Sequence, residues 1–286
     1  MSDILINAGL VLEGGGMRGV YTAGVLDLFI DKGLYFKNCY GVSAGATQCC
    51  SYLSKQKGRA LKINVEYMTD KRYASFGNLV KEGNYFGKKF TMETIPNELE
   101  LFDYDEYTKT GANFYAVATD CKTGEPAYLK VENMKQDIDK VWASCTLPLL
   151  SKMVHVDGRE YLDGGVSDSI PVLKAIKDGN EKVVVVLTRD GEYRKSPNKM
   201  MWLIKLKYRK YPGLVRAVKD RYIKYNKNLA AIAKLEKDGK IFVIRPKEQV
   251  EVGRLEKDGE KMKALYNCGY KEAEACFEDL KAYLGI

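Results

Sequence analysis

Three short segments carry residues that could do chemistry together: Gly14-Gly15-Gly16-Met17-Arg18-Gly19, Gly41-Val42-Ser43-Ala44-Gly45, and Asp163-Gly164-Gly165. The second is G-x-S-x-G, the pattern of a nucleophile elbow. Its glycines let the backbone turn sharply from a strand into a helix. Ser43 is then left at the tip, with its hydroxyl exposed and the helix dipole favouring negative charge there. A serine nucleophile needs a base. The one histidine, His155, lies in Met153-Val154-His155-Val156, which alternates like a strand, and reads as a locally packed residue rather than a catalytic one. Asp163 is the better candidate. It ends a short strand, and the two glycines after it let its carboxylate come close to another backbone. A bare carboxylate is a weak base for a hydroxyl and strengthens when partly desolvated. Taken alone, Asp163-Gly164-Gly165 also reads as an ordinary turn.

The glycine loop follows an apolar run, Ala8 to Leu12, and precedes an amphipathic stretch, Val20 to Phe29. A strand that passes through glycines into a helix offers backbone N–H groups to a negative charge. That charge is either a bound phosphate or an oxyanion formed during a reaction. Gly14-x-Gly16-x-x-Gly19 satisfies the dinucleotide pattern, which also needs an acidic residue near the end of the second strand to hold a ribose hydroxyl. The second apolar run ends instead in Tyr40-Gly41-Val42-Ser43, and Asp31 lies too early. No Gly-Lys-Ser/Thr follows the glycines, so the P-loop pattern is absent.

Together and in this order, the three segments resemble the patatin-like phospholipases. Ala118-Thr119-Asp120 with Thr123-Gly124 and Ala143-Ser144-x-x-x-Pro148 add to the resemblance, which covers roughly residues 5–190, and beyond it Tyr266-x-x-Gly269-Tyr270 resembles the terminal helix that follows the core in that family. It implies an α/β acyl hydrolase with a Ser–Asp dyad and no histidine. By that resemblance Ser43 is the nucleophile and Asp163 its base. The N–H groups around Gly14, Gly15 and Gly16 form the oxyanion hole, and Arg18 helps to hold that loop. The implied activity is cleavage of a lipid acyl ester, of phospholipase or lysophospholipase type, through an acyl-enzyme and with no metal or organic cofactor. Acyl transfer to another acceptor uses the same intermediate. A membrane-associated lipid-binding or regulatory protein with weak activity is the reading from another class.

These residues need elements to position them. Strand near 8–13, helix near 19–32, strand near 37–42 and helix near 44–54 alternate along the first part. Asn113 to Ala118 and Ala127 to Val131 read as a hairpin, Asp139 to Ser144 as helix, and Val183 to Leu187 as a buried parallel strand. Such alternation predicts an α/β fold, a mostly parallel central sheet with helices on both faces, and a site at the carboxyl ends of its strands. Residues 1–190 are expected to form the catalytic core, with 55–110 as helices and loops covering the site mouth. Residues 191–286 are expected to form a mainly helical region docked on that core. Within it, Ile241 to Ile244 reads as a strand and 257–284 as helix, with Leu265, Cys268, Ala275, Cys276, Leu280 and Tyr283 facing inward.

A chain of 286 residues can bury roughly 75% of its unfolded surface, enough for a substantial core. Its seven cysteines make no C-x-x-C and no Cys/His cluster, which indicates neither a zinc site nor a disulfide framework and suits a reducing cytoplasm. Met1 to Leu12 lacks the basic start of a signal peptide, and nowhere do 18 apolar residues run together, so membrane contact is expected to be peripheral. Net charge is +8, yet 194–227 alone holds twelve Lys/Arg against Asp220, a net of +11. With Trp202, Tyr208, Tyr211, Tyr222 and Tyr225 interleaved, this segment reads as helical. It is either a docking surface for anionic membrane or a solvated face whose apolar residues pack on the core. No nucleic-acid recognition motif accompanies the charge, so no nucleic-acid partner is expected.

Overall fold

Four consecutive valines, Val183 to Val186, are fully buried, because their strand is covered on both faces. A computed structural model of the protein describes residues 4–286. In chain order it has β1 (Ile4–Leu12), α1 (Gly19–Asp31), β2 (Leu34–Val42), α2 (Ala44–Leu53), α3 (Arg59–Glu66), α4 (Phe76–Lys81), a π-type helical segment (Phe90–Leu99) and α5 (Tyr104–Lys109). There follow β3 (Asn113–Asp120), β4 (Pro126–Val131), α6 (Met134–Cys145), β5 (Val154–Val156), β6 (Arg159–Asp163), α7 (Val172–Lys177) and β7 (Val183–Val186). The chain closes with α8 (Met201–Lys207), α9 (Pro212–Lys237), β8 (Phe242–Ile244), α10 (Gly259–Ala275) and α11 (Phe277–Leu284).

The strands form one sheet in the order β5-β6-β3-β2-β1-β7-β8, with β4 on β3. The run from β3 to β8 is parallel, as the sequence predicts; β4, β5 and β6 are antiparallel. Alternate residues of β1 and β7 serve opposite faces. Leu10, Leu12, Val184 and Val186 pack with α1, α2 and α10, while Val11, Val183 and Val185 pack with α7 and α9. α1 is buried from Gly19 to Phe29 because α10 covers its outer side. There Tyr266 and Tyr270 donate to the Asp27 and Asp31 carboxylates, each at 2.7 Å.

Several details differ from the sequence expectation. β1 begins at Ile4 rather than near 8, because its pairing with β2 shifts between Ile6 and Gly9 and breaks the apolar pattern at Asn7. α6 begins at Met134, five residues before the predicted start, because the Asn133 side chain accepts from the N–H groups of Lys135 and Gln136. In α10, Ala275 is exposed, and Ala273 is the buried position, in phase with Leu265 and Gly269.

β2 and β6 meet end to end along one edge of β3. Val42, the last residue of β2, pairs with Val117, and Asp163, the last of β6, pairs with the next residue, Ala118. The other edge of β3 is held by β4 from Phe114 to Thr119. β2 runs parallel to β3 and β6 antiparallel to it, so the carboxyl ends of the two strands converge.

Candidate active site

At that junction Ser43 adopts φ 53° and ψ −122°, a backbone conformation that costs a non-glycine residue about 1–3 kcal/mol. The surroundings hold it there. Ser43 N–H donates to Ser144 Oγ at 2.8 Å, and Ser144 Oγ donates to the Val117 carbonyl at 2.6 Å. The Ser43 carbonyl accepts from the Ala46 N–H at 2.9 Å, which begins α2. The flanking glycines serve close approach: a Cβ at Gly45 would lie 2.4 Å from the Leu12 carbonyl oxygen, and one at Gly41 would lie 2.6 Å from Ala46 Cα.

The Ser43 Oγ donates to Asp163 Oδ2 at 2.7 Å. Asp163 Oδ1 accepts from the Gly165 N–H at 2.7 Å, and the Asp163 N–H donates to the Thr146 carbonyl at 2.8 Å. The residue is 1% exposed. The carboxylate is therefore fixed in orientation, with one oxygen on the serine and the other on the turn that follows it. His155 is elsewhere: it is exposed on β5, 3.2 Å from Glu160.

The glycine loop borders the serine. A Cβ on Gly14 would come within 2.9 Å of Ser43 Cβ, and Gly14, Gly15, Gly16 and Arg18 line the same cleft of about 970 Å³. Among the described residues, the N–H groups of Gly14 and Gly15 have no acceptor. Glu13, just before the loop and 3% exposed, anchors it. Its Oε2 accepts from the Thr188 N–H at 2.7 Å and its Oε1 from Tyr225 Oη at 2.6 Å. The loop is thereby tied to the end of β7 and to α9.

The structure thus brings Ser43, Asp163, Gly14, Gly15, Gly16 and Arg18 into one cleft. Sequence reasoning missed Glu13, Arg189, Lys195, Arg221, Tyr225 and Arg254, which line it too. The basic surplus of 194–227 signalled cations, and a charge ending the apolar run of β1 signalled Glu13, but neither pointed to the cleft. The cations perturb one another. Burial, with Arg189 and Arg254 adding to it, lowers Arg18 to about 10. Burial and then Arg221 push Lys195 down to about 7. Burial, followed by Arg254, lowers Arg221. Burial and the nearby Asp163 raise the Cys145 thiol well above its ordinary value, which keeps it protonated.

A second cavity, about 680 Å³, shares Thr47, Asn64, Tyr73, Thr91 and Met92 with the first and is otherwise largely apolar, with Ile63, Ile95, Phe102 and Val141. Several of these residues belong to 55–110, which forms a wall of both cavities. Among the described residues, no group of three or more His, Cys, Asp or Glu could hold a metal ion.

The profile of the Patatin-like phospholipase family matches residues 10–176, more than half of the chain. The chain belongs to the patatin-like phospholipase family. A second profile, a domain of unknown function (DUF6363), matches residues 211–285. Among relatives, the uncharacterized protein YjjU of Escherichia coli (strain K12) is 32% identical over 194 residues, which cover 66% of this chain and 54% of YjjU. The match thus spans about half of YjjU's length. The probable lipid hydrolase 463L of Invertebrate iridescent virus 6 is 26% identical over 215 residues, 65% of this chain and 72% of 463L. The mouse (Mus musculus) 1-acylglycerol-3-phosphate O-acyltransferase Pnpla3 is 24% identical over 183 residues, 58% of this chain and 41% of Pnpla3. Within this patatin-like chain, Ser43, Asp163 and the glycine loop all fall inside the matched 10–176.

Proposed function

We propose that this patatin-like protein is a serine acyl hydrolase that cleaves lipid acyl esters through a Ser43–Asp163 dyad. The observation that carries the reading is the 2.7 Å contact from Ser43 Oγ to a buried, oriented carboxylate, beside two amides without acceptors. Asp163 Oδ2 takes the Ser43 proton as Oγ bonds to the ester carbonyl carbon. The carbonyl oxygen becomes an oxyanion, held by the N–H groups of the Gly14–Gly16 loop. Collapse breaks the ester C–O bond, and the departing alkoxide takes the proton from Asp163. Water, deprotonated by Asp163, then attacks the acyl-enzyme; the bond to Ser43 Oγ breaks, Oγ takes that proton back from Asp163, and the fatty acid is released. The apolar second cavity receives the acyl chain. Where an alcohol enters in place of water, the same steps transfer the acyl group, in keeping with the name of Pnpla3.

The test is a panel of a p-nitrophenyl ester, a monoacylglycerol and a lysophospholipid, with and without added glycerol. Free fatty acid released at a rate proportional to enzyme is expected. No release from any member contradicts the reading, and a new glycerol ester in place of free acid makes the protein an acyltransferase.

The same proposal places the enzyme at a membrane surface, against the alternative of a solvated helix face. No described helix is long and apolar enough to cross a membrane. On α8, Trp202 and Leu206 are 66% and 65% exposed, among Lys199, Lys205, Lys207, Arg209 and Lys210. Cosedimentation with vesicles containing anionic lipid is expected to fall by about tenfold between low and high salt, and to weaken again in Trp202→Ala/Leu206→Ala. Equal binding at both salts refutes electrostatic docking.

A further inference from the structure

Five cationic side chains line the cleft that holds Ser43, namely Arg18, Arg189, Lys195, Arg221 and Arg254, against two carboxylates, Glu13 and Asp163. Both carboxylates are occupied by the hydroxyl and N–H donors described above. Among the described residues, none of the five cations forms an ion pair within hydrogen-bond reach. Arg18 is 7% exposed, and its Nε, like those of Arg189 and Arg221, is buried with no hydrogen-bond partner. Lys195 rests on a ring face, 4.2 Å from the Tyr225 centroid.

The cluster flanks the reacting groups on two sides. A Cβ at Gly165, whose N–H holds Asp163, would lie 3.0 Å from Arg221 Nη2. The Arg254 backbone carbonyl accepts from Met17 N–H at 3.1 Å, directly after the glycine loop. Bringing like charges together out of water is costly unless something of opposite sign joins them. Burial first, and the neighbouring arginines after it, lower both Lys195 and Arg18. Four of the five cations lie beyond residue 176, outside the match to the patatin-like family, and two of these, Arg221 and Arg254, lie in the segment matched by the domain of unknown function.

We propose that the residues following the patatin-like segment complete the cleft as an anion subsite, built from Arg18, Arg189, Lys195, Arg221 and Arg254, that takes the phosphomonoester group of an acyl-ester lipid. Its ester half rests on the acyl-hydrolase reading above. A phosphomonoester brings nearly two negative charges at neutral pH and an array of oxygens that guanidinium forks match. A choline-type head group would carry a quaternary cation into the same field. The ligand then spans the site, with its phosphate on the cations, its ester at Ser43, and its chain in the apolar cavity beyond Thr47 and Tyr73.

The Ser43→Ala protein is titrated calorimetrically with 1-acylglycerol 3-phosphate, with the matching monoacylglycerol, and with inorganic phosphate. The titrations are repeated with Lys195→Met and with Arg221→Met, both checked for folding by circular dichroism. The phosphorylated lipid is expected to bind at least about tenfold more tightly than the neutral one, and Lys195→Met to remove most of that difference. Arg221→Met, where folded, is expected to do the same. No preference for the phosphorylated lipid, or a preference that Lys195→Met leaves intact, overturns the subsite. Inorganic phosphate binding as tightly as the lipid overturns the head-group assignment and makes this a site for the free anion. In the Ser43-containing enzyme, Lys195→Met is expected to lower kcat/KM for the phosphorylated ester at least about tenfold more than for the neutral ester. Equal losses on both place the cations on the transition state instead, and overturn the proposal. Failure of the acyl-hydrolase reading is a separate result: no ester is cleaved, while the titrations still report the subsite.

Discussion

Ser43→Ala is expected to lower kcat for acyl-ester hydrolysis by about 10⁴-fold or more, Asp163→Asn by about 10³- to 10⁴-fold, and the double variant by no more than the worse single one. The nucleophile and its base act on one proton, so removing either removes the same step. Asn at 163 keeps the shape and can still accept from the Gly165 N–H, which holds Asp163 Oδ1 at 2.7 Å. Its amide cannot take the Ser43 proton, so the loss belongs to chemistry rather than to collapse of the turn. Initial rates with a p-nitrophenyl ester measure it. Additive losses in the double variant would mean that the two residues serve different steps.

The second large effect is structural. Gly45→Ala is expected to destabilise the fold by about 3 kcal/mol or more, through backbone overlap that no rotamer relieves. For a chain of this size that corresponds to a drop in Tm of roughly 5–10 °C. The added Cβ would lie 2.4 Å from the Leu12 carbonyl oxygen and 2.9 Å from that of Glu13. Relief requires α2 to move away from β1, which carries Ser43 off Asp163 as well. Activity is therefore expected to fall together with Tm, both read from one preparation by thermal unfolding and ester hydrolysis. A variant that melts like the parent would show that the helix seats itself without this contact.

The local grammar of the site was legible in the sequence because each piece rests on neighbours in the chain. Gly41 to Gly45 spell a turn between strand and helix, and the structure has β2 ending at Val42 and α2 beginning at Ala44. The run Val183 to Leu187 lacks polar alternation because both faces of β7 are covered. What the chain order hid is long-range. The convergence of β2 and β6 depends on β6 running antiparallel to β3 and stopping at Ala118, one residue past the end of the β2 pairing. No pattern within Tyr161-Leu162-Asp163 announces that register. Glu13 was hidden for the same reason, since its donors, Thr188 and Tyr225, lie 175 and 212 residues away.

The basic segment 194–227 shows a different limit. Composition located the charge but could not divide it, because facing depends on how a helix rests on the sheet. α9 lies with Tyr225 and Ile232 against the sheet, and that rotation turns Arg221 toward the cleft while Lys224 and Lys227 remain exposed. One run of cations therefore contributes both to the cleft and to the outer surface.

Labelling with a fluorophosphonate, followed by mass-spectrometric mapping of the modified residue, tests the central claim most directly. Phosphonylation of Ser43 alone is predicted, with Asp163→Asn slowing the reaction by about 10³-fold or more. A label on any other residue, or Ser43 labelled equally fast without the Asp163 carboxylate, would contradict the dyad.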